Sequence, residues 1–425
     1  MELLEIVLNE FTGYFGEDAE TVVSAPGRLD FLNTHQDYKG LPVVGVGVNL
    51  RIFVAARRRA DNIVRVASGN LKDESLEFSD SFSLDRLRLV GGRWFGDYFR
   101  AALIVLMLRG FSVEGLDVWV RSGVPIGGGL GSSGSMLVAF IGVINEIFGL
   151  GMSRRDIAEA AYEAEHDVMS VPCGRLDQYS SAYGGLVIIE TRPPYSAEKL
   201  DFNGLFLVLD SGIRHSTASI HPVRQGEINE ALKALLGANI PSDVKRLLGS
   251  NYWEPRWEEL KIDILEPYLK SIPNVLARRI IYTIKAHEST VEALKLIRGE
   301  RVNVEGVANA LNINTEHLKD YVSKYSDERM ALIGYIMTYQ HKLLSNLYEV
   351  SLPVLDRIVD LSVDMGAYGA KLSGAGLGGA VIALIPSEDV GEAIAMRAMS
   401  ENLIKRWWIV KVDEGLRVEK RCHGA

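Results

Sequence analysis

VPIGGGLGSSGSML, residues 124 to 137, is the stretch on which the reading of this chain turns. Before it, Leu116–Arg121 alternates Leu116, Val118 and Val120, which is the period of a strand. After it, apolar residues continue as a helix to about Phe148. Consecutive glycines let backbone amides converge without side-chain obstruction, and the N-terminus of the following helix adds a partial positive charge. Such a loop suits a phosphate. It is neither the lysine-containing P-loop nor a dinucleotide GxGxxG in its usual context. The hydroxyls of Ser132, Ser133 and Ser135 can ligate Mg²⁺ or bond phosphate oxygens. The alternative reading is a helix cap at a tight turn.

Two further stretches carry similar ambiguity. KLSGAGLGGAVIAL (Lys371–Leu384) is a glycine-rich turn entering an apolar strand, and it either approaches a ligand closely or makes a tight bend. SAPGRLDFLNTHQDYKG (Ser24–Gly40) gathers Arg28, Asp30, His35 and Asp37 among apolar Leu29, Phe31 and Leu32. Charges among buried residues cost free energy unless they are paired or functional. A cluster paired within itself is the competing explanation.

The rest of the chain sets limits. Its 425 residues allow two or three domains or one large two-lobed enzyme. With 47% hydrophobic and 24% charged residues, the chain can bury enough apolar surface to exclude disorder as its main state. Acidic residues outnumber basic ones, 55 to 46, for a net charge of -9, which argues against a general nucleic-acid binder. A local basic pocket for a small anion remains compatible. Two cysteines, Cys173 and Cys422, supply neither a disulfide framework nor a four-ligand zinc site. The N-terminal MELLEIVLNEF carries acids where a signal peptide is basic, and the longest apolar run, Met136–Ile144, stops at Asn145-Glu146. The expectation is a cytoplasmic protein without membrane segments.

Thr21–Ala25, Val43–Ala56, Leu186–Thr191 and Leu205–Ser211 read as strands, and a helix starts near Ser153 with Asp156 as its N-terminal box. From Gln225 to Leu361 charged residues alternate with Leu and Ile at helical spacing, broken at Pro241, Pro255, Pro273 and Pro353. Ala380–Ile385 and Trp407–Val412 return to strand around a helix near Val390–Ile404. Strands with segregated helices and no regular βα repeat predict an α+β architecture of two lobes.

Taken in order, the three glycine-bearing stretches resemble the GHMP kinase superfamily, named for galactokinase, homoserine kinase, mevalonate kinase and phosphomevalonate kinase. Within it, the galactokinase branch is most similar. APGRLDFLNTHQDYKG stands where that branch has a PGRVNLIGEHTDYNGG-like signature. PIGGGLGSSGS stands for the PxGxGLSSSA phosphate loop, and KLSGAGLGGA for RxTGxGFGG. AEHDVMSVPCGRLDQ (Ala164–Gln178) and LYEVSLPVLD (Leu347–Asp356) match as well. The resemblance runs from residue 11 to 412, with Gln225–Met337 matching poorly.

The resemblance implies a two-lobed α+β GHMP kinase fold. Its N-terminal lobe, residues 1–195, would be of ribosomal-S5-like type, and its C-terminal α+β lobe, residues 196–425, would carry a helical insertion at 225–340. It also implies ATP and Mg²⁺, a sugar acceptor, and phosphoryl transfer to the anomeric hydroxyl at a site drawing on both lobes. Residue by residue, Asp177 matches the catalytic base and Arg28 the arginine beside it, while Ser133 and Glu165 match the Mg²⁺ ligands. Gly127, Gly128, Gly129, Leu130, Gly131, Ser132, Ser133, Gly134 and Ser135, with Ser373, Gly374, Ala375 and Gly376, match the ATP site. Thr34, His35, Asp37, Gly174, Arg175 and His221 fall at acceptor-binding positions.

Several of these positions depart from the galactokinase pattern. Thr34 replaces its glutamate, Asp30 its asparagine, Arg175 a residue usually apolar, and His221 falls near its tyrosine. Relatives lacking that glutamate act on other sugars, including a uronic acid and a pentose, so the expected acceptor is galactose, a uronic acid or a pentose. Two other readings stay open here: a non-catalytic sugar and nucleotide sensor, and a mevalonate-pathway kinase. Intact Asp177 and phosphate loop count against the first, and the PCGRLDQ and YEVS segments against the second.

Overall fold

The valine-rich stretches fold as strands, and as longer ones than the sequence predicts. In the computed structural model, which describes residues 3–92, 94–214 and 220–421, β1 spans Thr21–Leu32 and β2 Val43–Arg58. Cys422 lies outside the described residues. Pro26 lacks a backbone donor and reads as the end of β1. The strand nevertheless continues, because the Pro26 carbonyl accepts from Ser181 (2.8 Å) and the Arg28 amide donates to Leu130 (2.9 Å). All twelve β1 residues are buried.

The chain divides into two compact units. One comprises residues 1–28, 46–187 and 412–425, and the other residues 29–45 and 188–411. The dividing line therefore falls inside the first signature, between Arg28 and Leu29.

In the first unit, α1 (Leu3–Phe15) precedes β1, followed by β2, β3 (Ile63–Ser68), α2 (Gly69–Asp73) and β4 (Ser79–Ser83). Then come α3 (Gly96–Leu108), β5 (Leu116–Ser122), α4 (Ser132–Phe148), α5 (Arg154–Glu163) and α6 (Leu176–Tyr183), and β6 (Leu186–Glu190) begins in this unit and ends in the other. The last strand of the chain, β12 (Arg417–Arg421), returns to this unit, giving the sheet order β12-β1-β2-β5-β3-β4, with β6 joined to β2. β2 and β5 pair antiparallel from Ile52↔Ser122 to Arg58↔Leu116, whereas β3 and β5 are parallel. Helices α3 to α6 pack on one another. α4 is apolar nearly all round, from Leu137 to Ile144, and is buried accordingly. α5 opens on the expected capping box of Ser153 and Asp156.

In the second unit β7 (Ser196–Leu200) is followed by β8 (Leu205–Asp210) and a run of helices. These are α7 (Ile220–Gly237), α8 (Ser242–Lys245), α9 (Ile262–Leu269), α10 (Asn274–Ile297), α11 (Val304–Leu311), α12 (Thr315–Val322), α13 (Glu328–Leu343) and α14 (Pro353–Asp364). Pro241 and Pro273 immediately precede α8 and α10, and Pro353 opens α14, positions that need no backbone donor. β9 (Gly369–Ser373), β10 (Ala380–Ile385), α15 (Glu388–Ser400) and β11 (Arg406–Lys411) complete the unit. Its sheet is antiparallel in the order β11-β8-β10-β9. Leu207, Leu209, Val381 and Ala383 share one core with Ile358 and Ile394 of α14 and α15. α10 and α13 pack together, and α13 lies on β9.

The polar strands β4 (SDSFS), β7 (SAEKL) and β12 (RVEKR) have no alternation for a sequence to show. They form because a neighbouring strand offers pairing partners. Among the described residues, no helix is long and apolar enough to cross a membrane.

Arg51 of β2 fastens the chain's C-terminal return to the first unit. Its buried guanidinium donates to Ser24 Oγ (2.7 Å), Asp413 (2.8 Å) and the carbonyls of Glu414 (2.8 Å) and Gly415 (2.7 Å). Replacing it by Met leaves those acceptors unpaired, at a cost of about 3 kcal/mol. Urea unfolding of Arg51→Met measures this, and a loss below about 1 kcal/mol would show the anchor to be dispensable.

Candidate active site

The phosphate-loop stretch behaves as its glycines require. Gly127, Gly129 and Gly131 all have left-handed φ, and Gly131 caps α4 without a side chain. The first turn of α4 is therefore not closed by a side-chain cap, which suits an anion. Ser132 and Ser133 are half-buried there. Ser135 is instead turned fully inward, with its Oγ 2.8 Å from the Pro26 carbonyl and 2.9 Å from Ser181 Oγ. Its position binds α4 to β1 and α6.

The second residue of α6 is Asp177. Arg28 donates from Nε and Nη2 to its Oδ1, both at 2.8 Å, while Arg28 Nη1 donates to the carbonyl of Gly129 in the loop. The side chains of Arg28 and Asp177 are 7% and 24% exposed, so the arginine is sealed in while the carboxylate keeps an open face. α4 and α6 approach so closely here that a Cβ on Gly134 would lie 2.7 Å from that of Asp177. Only glycine fits.

Glu165 lies two residues past the end of α5, where the helix widens into a π-turn, Ala164–Val168, in which its side chain is buried. Gln178 Nε2 donates to Glu165 Oε2 at 2.7 Å, and Ser133 also hydrogen-bonds it. Burial, then the nearby Asp177 charge, push its carboxyl up to about 7, against weaker lowering by Ser133, Gln178 and Arg28. Glu165 and Ser133 offer two oxygen donors. Among the described residues no group of three His, Cys, Asp or Glu could hold a metal alone. A cation fitting this pair would be a hard one that takes its other oxygens from phosphate and water, as Mg²⁺ does. Gly174 and Arg175 are half-buried before α6. Glu159 accepts from Arg175 Nε (2.9 Å) and Nη2 (3.2 Å), and the guanidinium lies 3.9 Å over Tyr162, so that charge is already balanced within the protein.

The second unit holds the remaining signature residues. Asn33 and His35 both adopt left-handed backbone, at φ 63° and 61°, on either side of Thr34. Such conformers persist only when neighbours over-determine them. The Asn33 amide donates to Gln340 Oε1 of α13 (2.9 Å), its side-chain amide to Pro42 (2.6 Å), and Tyr282 of α10 donates to the Thr34 carbonyl. Thr34 Oγ1 donates to Asp30 Oδ1 (2.9 Å) and accepts from Lys371 Nζ (2.7 Å). Lys371 Nζ also donates to the Asp30 carbonyl (2.7 Å), and Ser373 Oγ accepts from the Asp30 amide (3.2 Å). The first and third stretches thus meet in this unit.

His35 Nε2 lies 2.9 Å from the Ala375 carbonyl, and its ring centroid 5.1 Å from that of His221. Asp37 is half-buried and accepts from the Tyr38 amide at 3.0 Å. Gly374, Ala375 and Gly376 form a half-buried turn in which both glycines have left-handed φ. Lys39, wholly buried, donates to Thr283 Oγ1 (3.0 Å) and faces the rings of Tyr348 (4.4 Å) and Tyr282 (4.9 Å); burial holds its amine well below the usual lysine range. The motif reading missed Tyr38, Lys39, Tyr282, Gln340 and Tyr348. Tyr38 and Lys39 stand inside the quoted signature as polar groups at buried positions, which is a usable signal. Tyr282 and Gln340 lie on helices with no local signature.

Comparison with known proteins identifies the family. Residues 97–185 match the N-terminal domain of GHMP kinases, residues 323–405 their C-terminal domain, and residues 9–58 the galactokinase galactose-binding signature. The chain is a member of the GHMP kinase superfamily, with the mixed α+β fold expected of it. A galactokinase of Chloroflexus aggregans is 29% identical over 401 residues, covering 92% of this chain and 90% of that protein. One from Pyrococcus furiosus is 25% identical over 408 residues, covering 94% and 100%. The crystal structure of Lactococcus lactis galactokinase complexed with galactose is similar with a TM-score of 0.79 at 21% identity, over 98% of this chain and 100% of that one. Within the superfamily the chain is a sugar kinase of the galactokinase-like branch.

Glu165 gives the first unit a measurable pH signature. Its folded-state carboxyl, at about 7 against 4.5, holds its proton more tightly than the unfolded chain does. The stabilisation is therefore complete below 4.5 and is lost as the pH rises through about 7. In metal-free buffer, roughly 3 kcal/mol of the pH-dependent loss between about pH 4.5 and pH 8 traces to this group. Glu165→Gln removes that share, and urea unfolding of both proteins across the range reads the difference. Parallel stability profiles would show that Glu165 ionises as an ordinary carboxyl.

Proposed function

We propose that the chain transfers the γ-phosphoryl group of ATP to the anomeric hydroxyl of a galactose-like sugar. The observation that carries this reading is the Arg28–Asp177 pair, with Arg28 also bonded to Gly129 of the phosphate loop. In the proposed step Asp177 takes the hydroxyl proton. The sugar oxygen bonds to the γ-phosphorus, the bond from that phosphorus to the bridging oxygen breaks, and ADP leaves with the electron pair. Both Arg28 donors act on Oδ1, so Oδ2 is the oxygen to receive the proton. Arg28 orients the carboxylate for this and offsets charge building on the phosphoryl oxygens.

Residues 127–135 and the Ser373–Gly376 turn make up the proposed nucleotide-binding set. Ser133 and Glu165 would hold Mg²⁺, which neutralises phosphate charge when bound. The proposed acceptor set is Thr34, His35, Asp37, Gly174, Arg175 and His221. The relatives' name makes galactose the first acceptor to test. Thr34 widens the choice to a uronic acid or a pentose, because a glutamate there would repel a sugar carboxylate by roughly 4 kcal/mol at about 4 Å in an intermediate dielectric. The cation beside Thr34 is Lys371, whose Nζ is 2.7 Å from its hydroxyl.

Asp177→Asn keeps the shape and removes the base, so turnover should fall about 100- to 10,000-fold in protein that circular dichroism shows to be folded. Near-normal turnover in this variant refutes the base assignment. The acceptor is read from ADP release with galactose, galacturonate and arabinose, and the position of the new phosphate by phosphorus NMR. Thr34→Glu should shift preference away from galacturonate. A strong natural preference for galactose, unmoved by Thr34→Glu, removes Thr34 from specificity.

A further inference from the structure

The stretch LYEVSLPVLD, Leu347–Asp356, supplies none of the groups that carry the proposed chemistry. It follows α13, whose end widens into a π-turn, Leu344–Tyr348, and the next residue, Glu349, has left-handed backbone at φ 55°. Glycine or asparagine is the usual residue at such a helix end, because a longer side chain is strained there. A glutamate must be kept for its carboxylate. Arg279 Nη2 of α10 donates to Glu349 Oε2 at 2.6 Å, and Arg278 Nη2 lies 3.0 Å from the other carboxylate oxygen. The same two arginines, with Arg224 of α7, cap the helix end. Arg278 donates to the Asn346 carbonyl (3.2 Å), Arg279 to that of Leu347, and Arg224 to those of Tyr348 (2.7 Å) and Glu349 (2.9 Å). Successive carbonyls from 346 to 349 thus receive guanidinium donors, the charge that a helix C-terminus favours. Arg279 is buried and also donates to Glu227 of α7 at 2.6 Å.

The residues on either side of Glu349 touch two different loops. Tyr348 is wholly buried, its hydroxyl is 2.7 Å from that of Tyr38, and its ring centroid lies 5.2 Å from that of His35. It backs the 33–40 loop. On the other side, the Val350 carbonyl accepts from the Leu377 amide at 2.7 Å, and a Cβ on Gly376 would stand 2.1 Å from that same oxygen. The Ser373–Gly379 turn is seated directly on residue 350. One residue separates these two contacts, so the backbone of Glu349 fixes the position of one relative to the other.

We propose that Glu349 is a positioning residue for both loops: held by Arg278 and Arg279, it sets Tyr348 behind the 33–40 loop and Val350 under the Ser373–Gly379 turn. Its functional consequence rests on the reading above, in which the first loop serves the acceptor and the second the nucleotide. The helical insertion then acts on both substrates through arginines that touch neither.

Two measurements test this on the full-length protein. The first is hydrogen exchange, without ligands, of peptides covering 33–40 and 373–379 in the natural chain, Glu349→Asn and Glu349→Gln. Asparagine tolerates the left-handed backbone and removes the carboxylate, so both segments should exchange about tenfold faster, with α15 and β11 unchanged. Glu349→Gln keeps the reach and one acceptor oxygen, and should recover part of the protection. Unchanged exchange at either segment overturns the proposal, whatever reaction the enzyme performs. If Glu349→Asn does not fold, Arg278→Met weakens the clamp while leaving Arg279 paired with both glutamates, and the same criterion applies. The second is steady-state kinetics with ATP and galactose: both KM values should rise together, about fivefold or more, in Glu349→Asn. A lower yield of folded protein with both KM values unchanged marks a purely structural clamp and overturns the proposal. Absence of turnover in the natural chain counts against the proposed reaction alone, because the exchange result stands apart from it.

Discussion

A carboxylate can stand at Asp177 because Arg28 reaches it, and much of the first unit is arranged around that one pair. Arg28 is nearly sealed from water, so its charge must be met inside the unit, and it is met twice, by Asp177 and by the Gly129 carbonyl. The phosphate loop is thereby tied to the carboxylate it flanks. Gly131 and Gly134 carry no Cβ because Arg28 and Asp177 occupy the space a Cβ would need. Ser135 and Ser181 close on the Pro26 carbonyl behind the pair and keep β1, α4 and α6 in register with one another. Altering any one of these elements moves the pair.

The two carboxylates of that unit are kept in different electrostatic positions. Asp177 has a guanidinium at 2.8 Å and an open face, while Glu165 is enclosed and met by neutral donors, from Gln178 and Ser133. Desolvation without a direct cation raises Glu165 to about 7. Such a group gains from a divalent ion, whereas a carboxylate already paired with arginine gains less. Their different surroundings separate the two roles proposed for them.

The helical stretch that matches the family pattern poorly has a structural task in the second unit. Residues 33–35 carry two left-handed, non-glycine conformers, and the groups that hold them come from α10 and α13. Tyr282, Thr283 and Gln340 thus do for the signature loop what Gly131 and Ser135 do for the phosphate loop. The helices need not resemble the family in sequence to do so, since a hydrogen bond to a backbone carbonyl or amide asks only for one polar group in the right place.

The α+β class, the buried helix after the glycine loop, the Ser153–Asp156 cap and the proline-punctuated helices were legible because each rests on local spacing. The order of motifs also singled out Arg28, Ser133, Glu165 and Asp177, side chains that the fold places beside one another. The continuation of β1 past Pro26 was not legible, because a missing donor is a local fact and the partners that rescue the strand are distant ones. The Glu159 pairing of Arg175, the Lys371 contact to Thr34 and the Ala375 contact of His35 have the same character. Sequence determined which polar groups this protein possesses and roughly which element carries each one. Only the tertiary structure decided which of them are spent on one another, because burial removes water as a partner and each buried group must then find its partner wherever the fold brings one.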